Sequence, residues 1–139
     1  MSEKELQEKV MVYRIIQSRL DALVKQRDLF FNKILEFQNT LVSIDEIAGS
    51  KEEILFPIGS EAYSFGKVVD KNKIIVEIGA GVALEKNFED AKETIRNRKS
   101  DIETAVKEVN QEIENYSNSL SILEPELQKM MQNRETEAG

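Results

Sequence analysis

Lys73-Ile74-Ile75-Val76-Glu77-Ile78-Gly79-Ala80-Gly81-Val82-Ala83-Leu84-Glu85-Lys86 breaks the period of the chain around it. Lys73 to Ile78 is β-branched and apolar, and Gly79 and Gly81 bracket a reversal into Val82 to Glu85, which together predict a hairpin. Upstream, Ile54, Phe56 and Ile58 alternate, Gly59 and Ser60 make a turn, Ala62 to Val69 is β-prone, and Asp70 to Asn72 turns again. Residues 53–85 are therefore expected to hold four short strands in two hairpins. Small hairpins are marginal in water and leave strand edges unpaired, so another chain or the helices must cover them. Oligomerisation through the sheet is the expected solution, with Ile54, Phe56, Ile58, Phe65, Val68, Ile74, Val76 and Ile78 as its residues. Aspartate at Val76 and Ile78 is expected to abolish assembly and leave helix content largely intact.

The flanks are helical. With Leu6 at position a, Tyr13, Ile16, Leu20, Leu23, Phe30, Ile34, Phe37, Leu41, Ile44 and Ala48 take a and d positions, broken only by Lys9 and Arg27. A seam kept over about six heptads specifies a coiled coil, because a period of 3.5 holds one stripe toward a partner. Ser2 and Glu5 suggest a capping box, and Gly49 a left-handed helix end, giving a helix over 2–48. Asn87 is a good N-cap and Glu89 and Asp90 suit a helix start. From there Phe88, Ile95, Ile102, Val106, Val109, Ile113, Tyr116, Leu120, Leu123, Leu127 and Met130 continue a seam with Lys92 and Lys99 as exceptions, predicting a helix over 87–133. Pro125 is expected to kink or end it, and 134–139 to form a disordered tail.

Both helices would run roughly 70 Å. A short connection between equal helices predicts an antiparallel, intramolecular pair in one domain over 1–139, an α+β fold that is mainly α. Pairing residues whose numbers sum to about 135 brings Arg27 to Glu108, Lys99 to Glu36 and Lys9 to Glu126.

Composition excludes several functions. The chain has no cysteine or histidine, so no disulfide or zinc framework is available. The net charge of −7 would repel a nucleic-acid backbone. No apolar run approaches the ~20 residues of a membrane span, and Met1 to Gln7 is polar, so a cytoplasmic protein is expected. Val76 to Gly81 superficially resembles a dinucleotide-binding glycine loop, but the third glycine position is Leu84 and no parallel strand follows. The glycines serve a tight turn, no Walker-type loop occurs, and no catalytic residue or cofactor is assigned. The carboxylates belong to a solvated helical face.

Apolar residues outside the seam carry more information. Val10, Met11, Val12 and Ile15 lie near one terminus and Ile122 and Met131 near the other, with Met130 beside them, and antiparallel pairing gathers them at one distal end. Exposed apolar side chains at a tip suit a binding site, and methionine suits varied partners. The competing reading is packing against a neighbouring subunit. Leu29, Phe31, Leu35 and Val42 are also off the seam but nearer the sheet, where packing is expected to account for them.

Helix, two hairpins, helix resembles the prefoldin family, and two hairpins resemble its alpha class. Ile54-Leu55-Phe56-Pro57-Ile58-Gly59-Ser60 is similar to the family's strand, proline and turn, and Val76 to Lys86 resembles its most recognisable segment. Phe56 departs from the smaller aliphatic residue usual there. The resemblance implies a heterohexamer of two alpha and four beta subunits whose hairpins form a β-barrel. It also implies capture of non-native client proteins at the coiled-coil tips, without ATP, and their transfer to a group II chaperonin. The alternatives are a coiled-coil spacer or adaptor, and an alpha-like subunit that assembles with itself into filaments.

Overall fold

A computed structural model describes residues 3–50 and 52–138, with side chains to Thr136. The order is α1 (Glu3–Gly49), β1 (Ile54–Gly59), β2 (Ala62–Gly66), β3 (Ile74–Gly79), β4 (Val82–Lys86) and α2 (Phe88–Ala138). The chain is thus two long helices with two antiparallel hairpins between them, α+β and mainly α.

The start of α2 is fixed as its sequence demands. The Asn87 side-chain oxygen accepts a hydrogen bond from the Asp90 amide at 2.7 Å, satisfying a donor the first turn leaves without a helical partner. Ser2, the other proposed cap, lies outside the described residues. Gly49 corrects its expectation: it is the last residue of α1 and holds no left-handed conformation. The end is closed instead by a tight turn in which the Ser50 amide reaches the Ile47 carbonyl at 3.4 Å. Ala48 is exposed while Ile47 is half-buried, since α2 begins only at Phe88 and offers no helical turn opposite position 48.

At the far end α2 runs through Pro125 to Ala138, past the end expected near 133. Leu127 and Met130, beyond the proline, are buried with Leu6. That packing and an Arg134–Glu3 ion pair at 2.7 Å hold the segment helical against the proline's missing hydrogen bond.

The chain divides into two compact units. In Lys33–Ile102, the core is Phe37, Ile44, Val76, Ala91 and Ile95, with Leu41, Ile74, Phe88 and Ile102 packed around it. Strand β3 therefore lies on the helices through Ile74 and Val76, and Arg98 donates to the Glu77 carbonyl at 2.6 Å. Lys92 pairs with Asp45 at 3.0 Å and Glu89 at 3.1 Å, and these two partners, Asp45 first, raise its ammonium above the ordinary lysine value.

Both hairpins are built alike. Ile54 pairs Gly66 and Pro57 pairs Tyr63, then the register shifts so that Gly59 pairs Ala62; Ile74 pairs Lys86 and Glu77 pairs Ala83, then Gly79 pairs Val82. The bulge puts Ile58 and Ile78 outside the simple alternation and leaves both exposed. Gly79, Ala80 and Gly81 all have positive φ, so this glycine-rich run is a hairpin turn. Strand β2 ends at Gly66, short of the β-prone reach to Val69. The Asp70 to Asn72 turn forms, the Asp70 side chain accepting from the Asn72 amide at 2.9 Å.

The second unit comprises Met1–Asn32 and Glu103–Gly139. Leu23, Val106 and Val109 are buried in it, and Leu6, Leu127 and Met130 form a cluster edged by Val10, Tyr13 and Leu123. Lys9 meets Glu126 at 3.1 Å and Arg19 approaches Glu112 to 3.8 Å, which makes the helices antiparallel with partners summing to about 135. Two expected pairs are corrected. Arg27 donates to Asn110 at 3.4 Å and lies over the Phe31 ring, while Glu108 is exposed. Glu36 pairs with Lys33 at 3.1 Å, one turn away on its own helix. Helical spacing makes that partner available without reaching across to Lys99.

Candidate functional site

Two surfaces that the chain's own packing leaves exposed bear on function; Leu29, Phe31, Leu35 and Val42 on α1, for which the sequence predicts packing, are exposed as well. The first lies on the hairpins. Each is a separate two-stranded sheet, so every strand has an edge without a strand partner among the described residues. On the outward face of β1–β2, Leu55 pairs with exposed Phe65 (75%) and Pro57 with Tyr63, an apolar surface throughout. The equivalent face of β3–β4 pairs Ile75 with Glu85 and Glu77 with Ala83, mixing apolar and acidic groups.

The sequence-predicted hairpin residues separate by face. Ile54, Phe56 and Ile74 are half-buried and Val76 is buried at 6%; Ile58, Phe65 and Ile78 are exposed. Val68 follows β2 and lines a cavity of about 190 Å³ with Ile47 and Ile54. Val76 is therefore part of this unit's own core, and aspartate there would disrupt folding as well as any assembly. Alternation marks two faces but not which one the helices cover; Leu55, Tyr63 and Ile75 are exposed residues that the sequence reading left out.

The second surface is the tip formed by the N-terminal part of α1 and the C-terminal part of α2. Met11 (64%), Val12, Ile15, Ile122 and Met131 (55%) are exposed, and Val10 is half-buried. Met130 is a correction: at 5% exposure it belongs to the core with Leu6 and Leu127, as a seam position should. An open groove of about 460 Å³ brings Val10, Met11 and Met131 together over Leu6. Val12, Ile15 and Ile122 do not line it. Ile122 stands about half a turn around α2 from Met131, since nine residues make two and a half turns.

Sequence reasoning missed the groove's polar members, Gln7, Arg14 and Arg134. Arg14 had a legible signal: no carboxylate stands three or four residues away on its helix. Arg134 was hidden by its assignment to a tail. Among the described residues no helix is long and apolar enough to cross a membrane.

Two long helices joined through two antiparallel β-hairpins, with the N-terminal part of α1 paired to the C-terminal part of α2, define a class of helical hairpin. The family model for the prefoldin subunit matches residues 16–133, and the chain belongs to the prefoldin family, which is a chaperone family and not an enzyme family. It is 31% identical over 109 residues to prefoldin subunit alpha of Pyrococcus horikoshii, covering 76% of this chain and 74% of that one. Identity to prefoldin subunit alpha of Archaeoglobus fulgidus is 35% over 106 residues, 73% of this chain and 76% of the relative. Among solved structures, a cryo-EM structure of filamentous PFD from Methanocaldococcus jannaschii shares the fold, with a TM-score of 0.72 and 20% identity over 84% of this chain and 98% of that one. Membership makes the chain a chaperone subunit that assembles with other subunits.

Proposed function

We infer that this chain is the alpha subunit of a cytoplasmic, ATP-independent holdase that captures non-native proteins at its coiled-coil tips and passes them to a group II chaperonin. The observation that carries the reading is the tip itself, where Met11 and Met131 stay exposed beside buried Leu6, and Ile15, one turn along α1 from Met11, is exposed as well. Apolar side chains left in water lower solubility, so a cluster of them suits a transient partner, and methionine adapts to many shapes. The hairpins supply the other half. Their free edges and the Leu55–Phe65 face suit assembly with prefoldin beta subunits into a barrel, in a hexamer of two alpha and four beta chains.

The mechanism is multivalent. One tip is a small patch and binds weakly, but several tips on one base raise the effective concentration for an unfolded chain and still release it segment by segment. No part of this requires nucleotide hydrolysis.

The test is suppression of aggregation of a chemically unfolded protein, followed by light scattering without nucleotide. The complex with the intact chain is compared with one carrying Met11→Gln, Ile15→Gln and Met131→Gln, which alter exposed residues only. Protection that weakens with the substitutions supports tip capture; a correctly sized complex that gives no protection favours a spacer or adaptor. A second reading, self-assembly into filaments, is raised by the fold shared with filamentous PFD. Native mass of the chain without partners separates it from the hexamer.

A further inference from the structure

The tip groove is not uniformly apolar. Its floor and one wall are Leu6, Val10, Met11 and Met131, and its rim carries Arg14 and Arg134. Arg134 is neutralised by Glu3 at 2.7 Å. Arg14 is exposed, and neither it nor Gln7, which also lines the groove, has a hydrogen-bond or ion-pair partner among the described residues. In a chain with net charge −7, where the groove's other cation Arg134 is matched, an unmatched guanidinium beside an apolar cleft is an uneven arrangement.

The geometry points to a preference in what the groove accepts: an extended polypeptide segment in which apolar side chains adjoin a carboxylate. The apolar side chains fill the space between Val10, Met11 and Met131. The carboxylate then meets Arg14, whose planar fork pairs with it through two parallel hydrogen bonds. Gln7 offers an amide donor and acceptor to the segment's backbone, which an extended chain leaves unpaired on one side. A volume of about 460 Å³ lies within the range of sites that enclose more than one large side chain. This inference rests on the reading of the tips as client sites and adds a chemical preference to it.

Fluorescence anisotropy with the full chain tests it. Three labelled peptides of the same apolar sequence carry aspartate, asparagine or lysine at one central position. The intact chain is expected to bind the aspartate peptide about two- to five-fold more tightly than the asparagine peptide, the scale of an exposed charge pair, with the lysine peptide weakest. Added salt should shrink the difference. Arg14→Gln is expected to erase the preference, so that the aspartate and asparagine peptides bind it alike. Arg19→Gln, which changes net charge equally but removes a residue paired with Glu112 outside the groove, should keep it.

Equal binding of all three peptides by the intact chain overturns the preference alone and leaves tip capture standing. Loss of discrimination in both variants also overturns it, because general electrostatics would then be responsible. If no apolar peptide binds, tip capture falls together with the inference. If the peptide-free chain has a native mass that Arg14→Gln lowers, the groove holds a second copy of the chain and the inference is overturned.

Discussion

Phe56 and Gly66 form a coupled pair. A Cβ added at Gly66 would lie 2.8 Å from Phe56 Cε2 and 3.0 Å from Cδ2, so the ring packs over the space that glycine leaves. The aromatic ring is thus accommodated across the ladder, diagonally from its direct partner Ser64. Gly66→Ala is expected to destabilise the chain by about 1–3 kcal/mol, the scale of overpacking. Adding Phe56→Val should recover part of that, and a denaturant double-mutant cycle measures the coupling. Additive effects would mean that the ring moves away freely. Lys92 gives a pH prediction: its ammonium is raised above 10.5 by Asp45 and then Glu89, so its contribution is present below that value and fades as pH rises through the folded one. Lys92→Met should therefore reduce stability at neutral pH and differ less from the parent in alkali, as read by urea unfolding at each pH. Legibility at this scale was partial. Lys9 with Glu126 follows from register alone, but register cannot decide whether a long guanidinium such as Arg27 turns to Asn110 or Glu108. Met130 shows the same limit, for a methionine near a tip serves either core or surface and only its d position distinguishes them.

Elements were legible where a local signal is strong. The glycine turn, the Asn87 cap and the change from period seven to period two all appear as the sequence places them, because each depends on residues within a few positions. Element ends set by distant packing were not. Gly49 stays helical, and α2 passes Pro125 because Leu127 and Met130 find Leu6 more than a hundred residues away in the chain. The proline still removes the amide that would donate to the Ser121 carbonyl, leaving a weak turn within the tip. Pro125→Ala is expected to stabilise α2 by up to about 3 kcal/mol and to slow amide hydrogen exchange around Ser121. Unchanged exchange there would show that neighbouring turns already absorb the defect.

For the whole molecule, the decisive question is which hairpin face joins subunits, and sequence alternation leaves it open because both faces are apolar on β1. The structure separates them: Val76 closes the chain's own core, whereas Leu55, Tyr63 and Phe65 stay exposed. Leu55 and Phe65 are direct cross-strand partners, so charge on both places two like charges at the centre of any sheet-to-sheet interface while leaving the helical core untouched. Leu55→Asp with Phe65→Asp is therefore expected to keep the helix signal in circular dichroism within a few per cent of the parent's and to abolish the assembled species in native mass spectrometry. Val76→Asp should instead lower helix content and assembly together, since it buries a charge among Phe37, Ile44, Ala91 and Ile95. If the outward pair assembles normally, the interface lies on the strand edges or on β3–β4. Pairing through Ile75 and the acidic Glu77 and Glu85 would then require cations on the partner, and a salt-dependent native mass would identify it.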